Sequence, residues 1–239
     1  MSSIEGQLNY PVDYRTRRII ERVVDGFLAE KIFDILWTQV FYYVSTFENI
    51  DTTGTGIASW ALTKTGTAVP DATLTNNRVT LSTGTTSGNR ARLIKTPDVA
   101  SAKRFLNFQK RQRMRTQIKH ELTVANLTAF ALAGDLGGNA YGFRCINGAL
   151  VGVVVNNAGT VTATPTLTTM TADTDVLIEA RYVPGQQVTF YINGDEKGIL
   201  TTGLPTENVN PGLAYYRIQT DDTTSKSMTF SFFEFIQEL

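Results

Sequence analysis

The sequence predicts an all-β fold, an antiparallel sandwich, preceded by an N-terminal arm and an amphipathic helix. Three observations carry this. Two apolar runs are broken by Asn147-Gly148 and Asn193-Gly194, and Asn-Gly tolerates the positive φ angles of a type I′ hairpin turn. Between them Val176, Ile178, Ala180 and Tyr182 alternate with Leu177, Glu179, Arg181 and Val183, the period of a strand with one face on a core. Short strand candidates separated by Gly-, Thr- and Asn-rich turns then recur along most of the chain, as in sandwiches and barrels.

Bulk properties bound the function. A chain of 239 residues, 42% hydrophobic and 18% charged, can bury a core and is not of disordered composition. Lys+Arg 22 balances Asp+Glu 22, so no global charge points to nucleic acid or an anionic membrane. The single cysteine, Cys145, excludes an internal disulfide and any multi-cysteine metal site. Met1 to Val12 lacks the apolar segment of a signal peptide. The apolar stretch from Phe27 to Val44 is interrupted by Glu30, Lys31 and Asp34, which excludes a transmembrane helix. The expectation is a soluble protein made in a reducing cytoplasm.

Residues 1–13 read as an extended arm with a break at Tyr10-Pro11. From Tyr14, apolar residues including Ile20, Val23, Val24, Phe27 and Leu28 recur at helical spacing. Asp13 can cap the helix, and Gly26, at a cost of about 1 kcal/mol against Ala, can split it. The division expected is therefore 1–36, arm and helix, and 37–239, sandwich. The helix either packs on its own sandwich or docks on another subunit; a sandwich closes its core without it.

From Trp37 the period shortens to that of a strand apolar on both faces. Further strands are expected at Ile57–Lys64, Ala72–Thr75, Arg78–Ser82, Arg90–Lys95 and Leu127–Ala133. Leu213–Thr220 and Met228–Leu239 close the chain. In the last strand Met228, Phe230 and Phe232 share one face but Phe233 and Phe235 take the other, so both faces are covered or a bulge near Phe232 resets the register.

The clearest alternation lies in 103–122, with Met114, Thr116, Ile118, His120 and Leu122 on one face. The other face carries Arg113, Arg115, Gln117, Lys119 and Glu121, and with Lys103, Arg104, Lys110 and Arg111 nearby this is the one dense basic patch in the sequence. It is either a solvated outer face that discourages edge pairing, or a contact for an acidic protein surface or nucleic acid. Few aromatics interleave with the cations, which disfavours nucleic acid.

Catalytic patterns are sparse. His120, the one histidine, falls on the apolar face of its strand, and Cys145 lies inside a strand without a second histidine to serve. The carboxylates nearest in spacing to a glycosidase pair are Asp173, Asp175 and Glu179, with Asp173 in the preceding turn. The Gly-rich loop 134–139 opens no helix and is no phosphate loop. Asp51, Asp135, Asn139, Asp195, Asp221 and Asp222 fall in expected loops, where such residues serve either as turn formers or as Ca²⁺ ligands. No ligand set emerges, and neither a metal nor a cofactor is expected.

YGFRCINGAL, VLIEARYV, the turn PGQQ and VTFYINGDEKGIL resemble the laminin-G/concanavalin A-like lectin sandwich, with NNRVTLSTG and MTFSFFEFIQEL extending the likeness over about residues 45–239. The resemblance implies a jelly roll. Thr- and Gly-rich sandwiches poor in His and Cys are also similar to bacteriophage virion proteins such as head decorations and fibres. The implied function is a non-catalytic virion protein assembled in the host cytoplasm. It would attach to capsid or other virion proteins, or to sister subunits as a homo-oligomer, through Ile20, Val23, Val24, Phe27 and Leu28, with Arg111, Arg113, Arg115 and Lys119 as a second contact. The alternative is a module that binds a cell-surface glycan through loop aromatics such as Trp60, Tyr141 or Tyr215. A glycan-cleaving enzyme is disfavoured by the missing carboxylate pair.

Overall fold

The computed structural model of the chain describes residues 40–45, 47, 50–51, 60–66, 71–76, 78–95, 106–121, 124–206 and 212–238. The expected helix and its apolar stripe, Ile20 to Leu28, lie outside the described residues. The strands of the first half are β1 (Val40–Ser45), β2 (Ile50–Asp51), β3 (Trp60–Thr65), β4 (Asp71–Thr75), β5 (Arg78–Ser82), β6 (Arg90–Lys95), β7 (Gln112–His120) and β8 (Leu127–Gly134). They are followed by β9 (Ala140–Ile146), β10 (Ala149–Val155), β11 (Val161–Ala163), β12 (Thr168–Thr169), β13 (Val176–Val183), β14 (Gln187–Ile192), β15 (Asp195–Leu200), β16 (Ala214–Thr220) and β17 (Ser227–Glu238).

These form the two layers of a β-sandwich. One sheet runs β15-β14-β13-β7-β17-β5-β4, with β1 also on β17; the other runs β11-β10-β9-β8-β16-β6-β3-β2, with β12 also on β10. β2 pairs with β3 in a short parallel contact, and the ladders from β3 onward are antiparallel. Two expectations are corrected: Asp51 in β2 and Asp195 at the start of β15 belong to strands rather than loops. The Thr-rich bridge before β13 also contributes β11 and β12, edge strands on β10, because β-branched threonine fits a pleated edge.

Both Asn-Gly pairs are hairpin tips with positive φ at each central residue, Asn147 and Gly148 joining β9 to β10, Asn193 and Gly194 joining β14 to β15. The alternation in β7 and β13 is realised: Met114, Thr116, Ile118 and His120, and Val176, Ile178, Ala180 and Tyr182, are buried. Facing them, the three alanines of β8 (Ala129, Ala131 and Ala133) leave room for the large rings of Tyr141 and Phe143 on β9. Gly152 on β10 does the same for Phe190: a Cβ there would lie 2.6 Å from the ring. Large against small across the layers is how a sandwich core reaches close packing.

The last strand contains the expected bulge. β17 pairs with β7 in one register through Phe230 and in another from Phe233 onward. The shift keeps Phe233 and Phe235 on the core side with Met228 and Phe230, all four fully buried, while Phe232 turns outward and is half-buried. A bulge frees a backbone carbonyl from the ladder. Here the Phe232 carbonyl accepts hydrogen bonds from the Thr116 hydroxyl and, at 3.4 Å, from Tyr216. The Tyr216 hydroxyl also lies 3.0 Å from the Thr116 oxygen, so β16, β7 and β17 are tied across the core.

Thr116→Val, which keeps shape and removes the hydroxyl, is expected to lower unfolding free energy by about 1–3 kcal/mol, because a buried carbonyl loses a donor. Thr116→Ser should recover most of it. In a double-mutant cycle with Tyr216→Phe, measured by denaturant unfolding, the losses should be clearly non-additive; additive losses would show that the two hydroxyls do not share the carbonyl.

Candidate functional site

The single histidine and the single cysteine are both held inside the fold. His120 is buried at the end of β7. Its Nδ1 lies 2.5 Å from the Glu121 carbonyl oxygen and its Nε2 3.2 Å from that of Met170, so both nitrogens are occupied by backbone. Cys145 faces the core from β9, and burial pushes its thiol up to about 11, against a smaller opposing hydrogen bond from the Gly148 backbone. It borders a void of about 10 Å³ lined by Ile118, Phe143, Leu150, Met228 and Phe230, far below the space a small-molecule ligand needs.

The carboxylates closest to a glycosidase pattern are held apart by different cations. Asp173 pairs with Lys119 at 3.3 Å, Asp175 with Arg78 at 3.1 Å and Glu179 with Arg181 at 2.6 Å. Among the described residues no group of three His, Cys, Asp or Glu side chains converges as a metal site would require. Several loop candidates act as turn formers. Asp135 accepts from the Gly137 amide. Asp222 accepts from the Thr224 amide and from Asn126, contacts that hold its carboxyl well below the usual carboxylate range.

The aromatics considered for sugar stacking are not available for it. Trp60 lies in β3 against Phe47 and Tyr216, Tyr141 stacks on Tyr182 in the core, and Tyr215 is 3% exposed. All three occupy or begin strands, where their bulk serves packing, so the loop-aromatic expectation is corrected.

The basic strand face is electrically balanced. Arg113 pairs with Glu234 at 2.6 Å, Lys119 with Asp173, and Arg111 with Glu238 at 3.9 Å. Arg115 stands in register between Glu179 of β13 and Glu234 of β17. Reading β7 alone exposes the cations; its neighbours bring the acids. Opposite charges on adjacent strands contribute roughly 0.2–1 kcal/mol per pair, enough to order the face but not to make it a basic patch.

The outer face of the other sheet is different. One cross-strand row runs Val151, Arg144, Phe130, Arg217, Arg92 and Thr63 over β10, β9, β8, β16, β6 and β3. The next row is apolar, with Val153, Leu132, Tyr215 and Ile94, part of a second apolar cluster distinct from the core. Arg217 lies over the Phe130 ring at 5.9 Å and donates to Gln219; Arg92 reaches Thr63 at 3.4 Å. Among the described residues, none of Arg92, Arg144 and Arg217 has a carboxylate within ion-pair distance. All three are half-buried, stems on the apolar row as long cationic chains prefer. Tyr215 is affected too: burial raises its hydroxyl, Arg217 opposes this, and Asp135 from the β8–β9 loop adds to it.

Sequence reading missed this row because its arginines come from strands far apart in the chain. The available signal was the repeated placement of Arg90, Arg92, Arg144 and Arg217 at outward positions of strands that otherwise read as apolar.

No family model matches the chain, and neither does any curated protein. Among solved structures the sandwich is similar to a protein of unknown function from Shewanella oneidensis MR-1, at TM-score 0.55 and 16% identity, covering 88% of this chain and 93% of that one. It is also similar to botulinum neurotoxin type C, from a structure whose subject is its cell entry through two ganglioside molecules (TM-score 0.53, 12% identity, 85% of this chain). A sialidase matches at TM-score 0.51 and 8% identity over 73% of this chain. The chain spans 49% of that botulinum chain and 16% of the sialidase. At such identities the likeness shows the fold alone, a two-layer β-sandwich.

Two measurements check the burial of these groups. Cys145 should resist thiol reagents in the native protein and react fully in guanidinium chloride. Its folded pKa lies above the ordinary 9.0, so its contribution to stability is complete below pH 9.0 and lost as pH rises toward about 11. Tyr141 and Tyr182, raised first by burial, act in the same direction above 10.0. Melting temperature should therefore fall on the alkaline side of pH 9; an alkaline melting curve flat through that range would contradict the buried placement.

Proposed function

We propose that this protein is a non-catalytic recognition module whose lectin-like sandwich binds a glycan on its surface. The observation that carries the reading is that His120, Cys145 and the carboxylates Asp173, Asp175 and Glu179 are committed to core packing, backbone contacts or ion pairs. Recognition on a sheet face needs only complementary polar groups, whereas hydrolysis needs two carboxylates flanking a cleft. The fold shared with a toxin chain whose cell entry involves gangliosides supports a sugar ligand; that chain is about twice as long, so the ligand comes here as a proposal.

A second reading is that of a virion structural protein, with a jelly-roll sandwich displayed from a capsid and residues 1–36 attaching it to the shell or to sister subunits. One observation favours an anchor-plus-head arrangement: Phe41–Leu239 forms a compact unit by itself. Repetition on a shell makes even modest contacts effective. Both readings hold together if the displayed head is the part that binds the sugar.

A glycan array with the full chain should show binding without release of reducing sugar. Turnover of any bound glycan would overturn the non-catalytic reading. A chain beginning at Thr38 should keep the array profile and lose self-association in light scattering; unchanged self-association would remove the anchoring role of 1–36.

A further inference from the structure

We propose that Asn193-Gly194, the tip of the β14–β15 hairpin, is a site of spontaneous deamidation, while Asn147-Gly148, the same pair at the β9–β10 tip, is protected by the fold. The modification needs only water and the chain itself, and it is independent of the glycan-binding reading.

The reaction is intramolecular. The backbone nitrogen of the residue after asparagine attacks the side-chain Cγ and gives up its amide proton to hydroxide. The carboxamide C–N bond breaks, ammonia leaves, and a cyclic imide closes. Water then opens the imide at either carbonyl, giving aspartate or isoaspartate. A following glycine carries no side chain to crowd the attacking nitrogen. What remains for the fold to decide is whether that nitrogen is free and whether the carboxamide is polarised.

Both conditions hold at Asn193. Asn193 and Gly194 are exposed, and a Cβ on Gly194 would meet nothing within 4 Å, so the tip is open to water. The Asn193 Oδ1 accepts a hydrogen bond from the Leu177 amide at 2.9 Å. That donor draws electron density from Cγ and stands where the oxyanion of the tetrahedral intermediate develops, as backbone amides do in an oxyanion hole. The Asn193 amide in turn donates to the Leu177 carbonyl at 2.8 Å, so the asparagine is tied to β13 on one side.

On its other side the tip yields easily. β15 is the edge of its sheet, and Asp195, Glu196 and Lys197 are exposed. Its ladder to β14 is already irregular between Phe190 and Tyr191. A segment with few buried contacts opens locally at low cost. Peeling of β15 leaves Asn193 on Leu177 and frees the Gly194 nitrogen to turn toward Cγ.

At the other tip the corresponding atoms are held. Gly148 is buried, its amide donates to the Cys145 thiol, and its carbonyl accepts from the Met170 amide at 2.9 Å. A Cβ on Gly148 would lie 3.1 Å from a Val124 methyl. The Asn147 amide donates to the Leu127 carbonyl at 2.9 Å, and β12 places Thr169 beside Ala149. A nitrogen engaged by the thiol and enclosed in this way has neither the freedom nor the solvent to react.

The test incubates the full chain at mildly alkaline pH in heavy-oxygen water, both native and in guanidinium chloride. Peptides are followed by mass spectrometry, with isoaspartate resolved by chromatography. In the native protein Asn193 should take up heavy oxygen and appear as aspartate and isoaspartate about 10-fold faster than Asn147, the rate equivalent of about one hydrogen bond. In guanidinium chloride the two sites, sharing the same Asn-Gly pair, should convert at similar rates. Equal native rates at the two tips would overturn the proposal, as would faster conversion at Asn147. It would equally be overturned by an Asn193 that converts in guanidinium chloride and stays intact in the native protein.

Discussion

The structure depends on one register change. Without the bulge between Phe230 and Phe233, the period-two rule would send Phe233 and Phe235 to solvent. With it, β17 places four large side chains in the core and still pairs with β5, β7 and β1. The Phe232 carbonyl released by the bulge is caught by Thr116 and Tyr216. Tyr216 in turn packs between Phe47, Trp60 and Phe230, so one hydroxyl pair and one aromatic cluster join the two sheets. Each fully buried aromatic contributes roughly 1.5–3 kcal/mol over exposure, and the bulge decides which aromatics are buried.

A rigid two-layer core also settles what the protein can present. Among the described residues the layers are filled, and the single histidine and cysteine are inside. The outer faces of the two sheets are unlike. The sheet holding β7 and β13 alternates cations with carboxylates across its strands, a pattern that fixes register and solubility and leaves little net field. The sheet holding β8 and β16 sets Arg144, Arg217 and Arg92 in a row beside buried apolar side chains, and among the described residues none of the three has a carboxylate within ion-pair distance. In a chain of zero formal net charge, this uneven distribution is a feature of the fold.

Local signals made much of the architecture legible. Asn147-Gly148 and Asn193-Gly194 announced their hairpins because few other dipeptides accept two positive φ angles. Val176 to Val183 announced its buried face, and the clash of phases among Phe230, Phe232 and Phe233 announced the bulge. The interior placement of His120 and Cys145 followed from their neighbours on each strand. Side-chain partners across strands were not legible. The cations of β7 look unpaired until β13 and β17 bring Glu179 and Glu234 beside them. Arg92, Arg144 and Arg217 look scattered until β6, β9 and β16 align them. Trp60, Tyr141 and Tyr215 sit near strand ends, where sequence alone does not separate a core anchor from an exposed ring.

Backbone amide NMR of the full chain, titrated with a glycan that it binds on the array, tests most directly whether the sandwich carries recognition. The account predicts saturable shifts confined to one patch of residues 41–239, with the glycan intact at the end of the titration. Shifts that never saturate, or release of reducing sugar during the titration, would contradict it.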